Sequence, residues 1–155
     1  YDKGYFGMGL AFEKGYGVES KDKKEALKWY LKAAELGHTQ AQFKAGLLLM
    51  FDDGAEAEKW YTKAADKGHI TAQNNLGYMY GKGMGSSMWG DKKLAYKYYL
   101  MAAEQGSGVA QYNVCVFHYN GSGGARKSNK IAKEWCQKAV DGGYGKAQSL
   151  LQRLD

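Results

Sequence analysis

Residues 72–106 read AQNNLGYMYGKGMGSSMWGDKKLAYKYYLMAAEQG, and the spacing of small and aromatic residues in this stretch decides the fold. Its second half carries Ala95, Tyr98, Tyr99, Ala102 and Ala103, at offsets 0, 3, 4, 7 and 8. Those offsets trace one face of an α-helix. Gly106 follows at the distance where a helix C-terminal glycine is expected. The first half carries Ala72, Leu76, Gly77 and Tyr80, again at helical spacing. Residues 81–90, between the halves, are rich in glycine and serine, as a loop inside a helix hairpin should be.

Both halves recur along the chain. The Ala-Tyr-Tyr block returns as Ala26-Trp29-Tyr30-Ala33-Ala34, as Ala57-Trp60-Tyr61-Ala64-Ala65, and as Ala132-Trp135-Cys136-Ala139-Val140. Gly37, Gly68 and Gly143 close these copies as Gly106 closes the first. The other half returns from Gly4, Ala41, Ala110 and, truncated, from Ala147, giving periods of 37, 31, 38 and 37 residues. A period of this size means one helix hairpin per repeat, with an apolar face that only its neighbours bury. Gly46 and Gly77 stand inside predicted helices, where glycine costs about 1 kcal/mol relative to alanine. A close helix crossing, with the Trp-Tyr pair filling the space around it, supplies the reason for them. First helices are expected near 2–14, 40–51, 71–81, 109–120 and 146–154, and second helices near 22–36, 55–67, 91–105 and 128–141.

The pattern A-x-x-x-L-G-x-x-Y-x-x-G-x-G, a loop, then D-x-x-x-A-x-x-Y-Y-x-x-A-A-E-x-G resembles the Sel-one-like repeat family, relatives of the tetratricopeptide repeats. The first copy is closer still, with Gly15-Tyr16-Gly17-Val18, Asp22 and Lys28-Trp29-Tyr30-Leu31-Lys32-Ala33-Ala34-Glu35. The resemblance implies an all-α fold, a right-handed superhelical solenoid of antiparallel helix hairpins. It covers residues 1–155 as one domain, with repeats at about 4–40, 41–71, 72–109 and 110–146 and a terminal helix at 147–155. It also implies a scaffold or adaptor that binds another protein or peptide.

Departures from the pattern carry expectations of their own. The second repeat is six residues shorter than the first, which predicts a shortened loop and a clipped first turn of its second helix. The fourth repeat has Cys115 in the helix-glycine slot, His118 in an aromatic slot and Cys136 in place of the inward tyrosine. Its packing should be looser or differently filled. Buried free thiols are the default expectation for two cysteines in a chain of this size, although a bridge within the hairpin is geometrically conceivable. Relatives rich in disulfides place a cysteine pair in every repeat, which this chain does not.

In tetratricopeptide-like solenoids the first helices line the concave surface. Counted from the glycine slot, the inward sites fall three before, one after and four after it. In this chain they are Phe6, Leu10 and Glu13; Phe43, Leu47 and Met50; Asn74, Tyr78 and Gly81; and Tyr112, Val116 and Tyr119, with Ser149 and Arg153 on the last helix. Such a row would expose aromatic area to a partner, and Lys82 and Arg153 would meet carboxylates.

The remaining chemistry is sparse. The net charge is +6, but lysines such as Lys28, Lys32, Lys59, Lys63 and Lys138 alternate with glutamates on second helices, away from the Ala-Trp-Tyr face. That pattern reads as a solvated convex face, and a nucleic-acid stripe is the lesser reading. His38 and His69 follow equivalent glycines one repeat apart and read as polar turn residues rather than metal ligands, and His118 fills its hairpin slot. No catalytic set, metal site or cofactor is expected. Residues 81–85 (GKGMG) lie between helices, not after a strand, so they fail as a nucleotide loop. Hydrolysis of β-lactams, an activity of some relatives, would need a nucleophile with an activating base, and none can be picked out. No apolar run reaches the roughly 18 residues of a membrane span. The start at Tyr1, without a signal segment, reads as a trimmed or mature fragment and leaves the compartment open.

Overall fold

The computed structural model describes residues 1–155 and contains nine α-helices: α1 (Asp2–Lys14), α2 (Lys23–Glu35), α3 (Thr39–Leu49), α4 (Gly54–Asp66), α5 (Ile70–Lys82), α6 (Lys92–Glu104), α7 (Gly108–Asn120), α8 (Asn129–Asp141) and α9 (Gln148–Arg153). A single 3-10 turn, Gly145–Ala147, precedes α9. There are no strands, and no helix is long and apolar enough to cross a membrane. The chain divides into two compact units, Tyr1–Ala72 and Gln73–Asp155. In the first, α1 packs on α2, α2 on α3 and α3 on α4; in the second, α6 packs on α7, α7 on α8 and α8 on α9.

Short polar side chains start the helices where the repeat pattern puts them. Asp22 accepts hydrogen bonds from the Lys24 and Glu25 amides, Asp53 from Glu56, Asp91 from Lys93 and Leu94, and Ser128 from Ile131. Each satisfies donors that a helix N-terminus otherwise leaves unpaired. At the other end, Gly37 (φ 90°) and Gly106 (φ 93°) take the left-handed conformation that turns the chain out of α2 and α6.

Every second helix runs from seven residues before its inward tyrosine or cysteine slot to five after it, including α4. The short second repeat therefore does not lose the first turn of its second helix. The missing residues come from the loop, residues 50–53 against 15–22 in the first repeat, and from α3, which ends at Leu49. The second helix carries the alanine-aromatic face and is kept whole, so the shortening falls on the loop and on the end of α3.

Inside each of the first three hairpins the slot glycine lies under the ring of the second helix's tyrosine. A Cβ on Gly9 would sit 2.5 Å from the Tyr30 ring, on Gly46 2.7 Å from Tyr61, and on Gly77 2.8 Å from Tyr99. Tyr30 and Tyr61 are fully buried there, among the alanines of their hairpins. In the fourth hairpin neither the glycine nor the tyrosine is present, and Cys115 and Cys136 are joined by a disulfide with Cα atoms 5.4 Å apart. They are not the free thiols expected from their number. The cross-link occupies the volume that a ring fills in the other hairpins.

Buried glutamines form a second device that ties successive hairpins together. The glutamine after the first alanine of α3, α5 and α7 is buried (Gln42, Gln73 and Gln111). Gln42 Nε2 donates to the Ala34 carbonyl at 3.1 Å and Gln111 Nε2 to the Ala103 carbonyl at 3.3 Å. Each ties a first helix to the end of the preceding second helix, where carbonyls lack helical partners. On the outer faces, Lys32, Lys63 and Lys138 stretch over the rings of Trp29, Trp60 and Trp135 at 4.2, 4.4 and 4.3 Å. The ammonium groups themselves sit on the indole faces, in cation–π contacts made at the exposed surface.

Candidate partner-binding surface

The three rows of predicted contact residues behave differently. Three residues before the slot, side chains meet the residue that begins the next first helix. Phe6 stacks on the His38 ring and Phe43 on the His69 ring, each with centroids 4.5 Å apart. In the second unit, Asn74 Nδ2 donates to Ser107 Oγ at 2.9 Å, and Tyr112 tilts against Tyr144 at 5.7 Å. All four are half-buried, so this row is largely a junction between successive repeats rather than open aromatic surface.

The histidines in that junction are more than turn residues. His69 Nδ1 accepts from the Ala72 amide at 3.2 Å, and Nε2 lies 2.9 Å from Gln40 Oε1. The neutral ring with its proton on Nε2 satisfies both contacts. Burial lowers its pKa below the ordinary 6.5, because the charged form loses solvation. The unfolded chain therefore takes up the proton first. The stability that His69 contributes is fully present above about pH 6.5 and is lost as pH falls from there through the folded value. The urea midpoint should drop across that window in the native chain and drop less in a His69→Asn chain, which keeps a capping acceptor. Identical slopes would show that the His69 cap does not titrate with folding.

Four residues after the slot, the side chains face the second helix. Glu13 accepts hydrogen bonds from Tyr30 Oη and from Lys44 Nζ, the latter at 2.9 and 3.0 Å to its two oxygens. Burial alone would raise this carboxyl. The Tyr30 hydrogen bond and the bonded, charged Lys44 outweigh it and hold the group below the ordinary carboxylate value. Met50 Sδ receives Tyr61 Oη at 3.7 Å, and Tyr119 packs against the cluster around the bridged cysteines. His118, buried one position earlier, is held by the Arg126 carbonyl (2.8 Å) and Tyr96 Oη (3.1 Å).

One residue after the slot, the surface opens. In the first unit Leu10 is half-buried against the core, but Leu47 is 42% exposed. In the second unit Tyr78 is 43% exposed, and Val116 lines a cleft of about 190 Å³ with Gly81, Lys92, Asn113, Phe117, Asn120 and Ser122. Arg153 and Ser149 are exposed on α9. The cleft's chemistry is that of a polar-rimmed apolar notch with one ammonium group at its edge.

A family model described as the Sel1 repeat matches four times, at residues 2–38, 39–69, 70–107 and 108–144. Among solved structures, a Sel1 repeat protein from Oxalobacter formigenes is 34% identical with a TM-score of 0.88, over 97% of this chain and 62% of that one. A protective antigen of uropathogenic Escherichia coli strains, displaying an SLR fold, is 34% identical with a TM-score of 0.86, over 95% of this chain and 32% of that one. An immunity protein from Pseudomonas aeruginosa shares the fold at 22% identity and a TM-score of 0.55, over 95% of this chain and 55% of that one. The chain thus spans between about a third and three-fifths of the length of these proteins. No curated protein matches it.

Proposed function

The chain belongs to the Sel1 repeat family, whose members are generally protein-interaction scaffolds and typically not enzymes, and from that premise we propose that it binds a partner protein or peptide through the open row of its first helices. The contacts assigned to that row are Leu47, beside Leu10, in the first unit, and Tyr78 and Val116 in the second, with Met50 in the packed row beside them. What carries the reading is the contrast between rows: Leu47 and Tyr78 stay more than two-fifths exposed while the rows on either side are engaged in packing. An exposed tyrosine offers large contact area at low entropic cost, and the notch beside Val116 would take one side chain of an extended segment. Arg153, exposed on α9, would meet a partner carboxylate, whereas Phe6, Phe43, Asn74, Tyr112 and Tyr119 would shape the surface from beneath.

The test is affinity capture from lysate with the native chain and with a Leu47→Glu, Tyr78→Glu chain, with bound proteins identified by mass spectrometry. Both sites are exposed, so the variant should fold. A protein held by the native chain and lost at least tenfold from the folded variant supports the assignment. The same proteins on both chains would remove these side chains from the binding surface.

A further inference from the structure

The loop between α5 and α6, residues 83–91, does something the repeat does not require. Met88 and Trp89 at its tip are 81% and 97% exposed, and this indole is the most exposed large apolar side chain in the protein. The loop is nevertheless closed and fixed. The Met84 amide donates to the Met79 carbonyl at 2.9 Å and the Asp91 amide to the Tyr80 carbonyl at 2.8 Å. A Cβ on Gly83 would stand 2.5 Å from the Met88 carbonyl, so only glycine permits this approach. The tip is thus held outward by the backbone.

The neighbouring loop, residues 121–128, lies against the same end, with Gly123 so close to the Lys92 carbonyl that no Cβ fits. Together the two loops and their flanks present Lys82, Lys92, Lys93, Arg126, Lys127 and Lys130, all exposed. None takes part in an ion pair. The one carboxylate in either loop, Asp91, is engaged in capping α6.

We propose that this loop end of the second unit docks on an anionic lipid surface, with Met88 and Trp89 entering the headgroup layer and the six cations facing the lipid anions. The shape selects this occupant. A projecting, wall-less apolar tip suits an interface that deforms around it, and tryptophan favours the headgroup level. A single aromatic is no stacking platform for a nucleic-acid strand. The cations act within a Debye length of the surface, where each strengthens binding severalfold.

The test uses the full chain with vesicles of phosphatidylcholine alone or mixed with phosphatidylglycerol, read by co-sedimentation and tryptophan emission. Binding to the anionic vesicles only, with a blue shift in emission, is expected. A Met88→Ser, Trp89→Ser chain should lose the shift and bind at least about tenfold more weakly. A Lys92→Gln, Lys93→Gln, Arg126→Gln, Lys127→Gln chain should weaken by at least about tenfold too. Phe51→Ser is the control: that ring is 80% exposed but sits beside Asp52 and Asp53, and its loss should change nothing. Unchanged circular dichroism confirms that the variants fold. Absence of vesicle binding, equal binding to neutral vesicles, equal loss with Phe51→Ser, or binding only to polyglutamate or an oligonucleotide would each overturn the proposal.

Discussion

Replacing Cys115 and Cys136 together by serine should destabilise the fourth hairpin by about 3 kcal/mol, and thiol reduction should do the same. The bridge spans 21 residues of sequence, and a cross-link of that size removes roughly this much loop-closure entropy from the unfolded chain. The loss should appear in amide hydrogen exchange of α7 and α8, since a repeat array opens locally before it unfolds globally. The equivalence of slots makes the prediction sharper. A Cys115→Gly, Cys136→Tyr chain installs the pair used in the other three hairpins and should recover a large part of the loss. Cys136→Tyr alone should be worse than the double serine, because a Cβ at this slot meets the ring: the corresponding distances at Gly9, Gly46 and Gly77 are 2.5, 2.7 and 2.8 Å, and such overpacking costs about 1–3 kcal/mol. A double serine that costs under about 1 kcal/mol, or a Gly/Tyr pair no better than it, would show that the bridge and the ring are not interchangeable.

Much of this was legible because a repeat states its rule several times. The two alternating spacings located the helices of the four hairpins, the last expected helix (146–154) being shorter and preceded by a 3-10 turn, and Gly46 and Gly77 in helix interiors announced the close crossings found with Tyr61 and Tyr99. The sequence placed Cys115 and Cys136 in facing slots of one hairpin and left a bridge conceivable, but their number made free thiols the default, and the 5.4 Å Cα separation decides for the bridge. Those slots are close because positions that bring a glycine under a ring are also positions close enough for a bridge. The buried glutamines Gln42 and Gln111 left a signal in the recurring Ala-Gln pair, but glutamine after alanine reads as solvated until its carbonyl partner is known. Periodicity groups the first-helix side chains into rows, but it cannot tell a side chain facing a partner from one facing the next repeat. Phe43 is taken up by His69 only because that histidine caps α5 at the same level.

Phe43→Ala is accordingly expected to cost about 2 kcal/mol, below the full cost of a core phenylalanine because the ring is half-buried. It would remove the 4.5 Å stack on His69 and the 6.0 Å contact with Tyr61. Leu47→Ala, four residues along the same helix and 42% exposed, should cost under about 1 kcal/mol. Both changes lie in α3 of the first unit, so they report on the same packing and can be compared directly. Urea denaturation of these two chains beside the native one is the most direct test of the division between packed and open rows. A clear fall in midpoint is expected for Phe43→Ala and a small one for Leu47→Ala. Equal falls would put Leu47 inside the packing and contradict the division on which the binding surface rests.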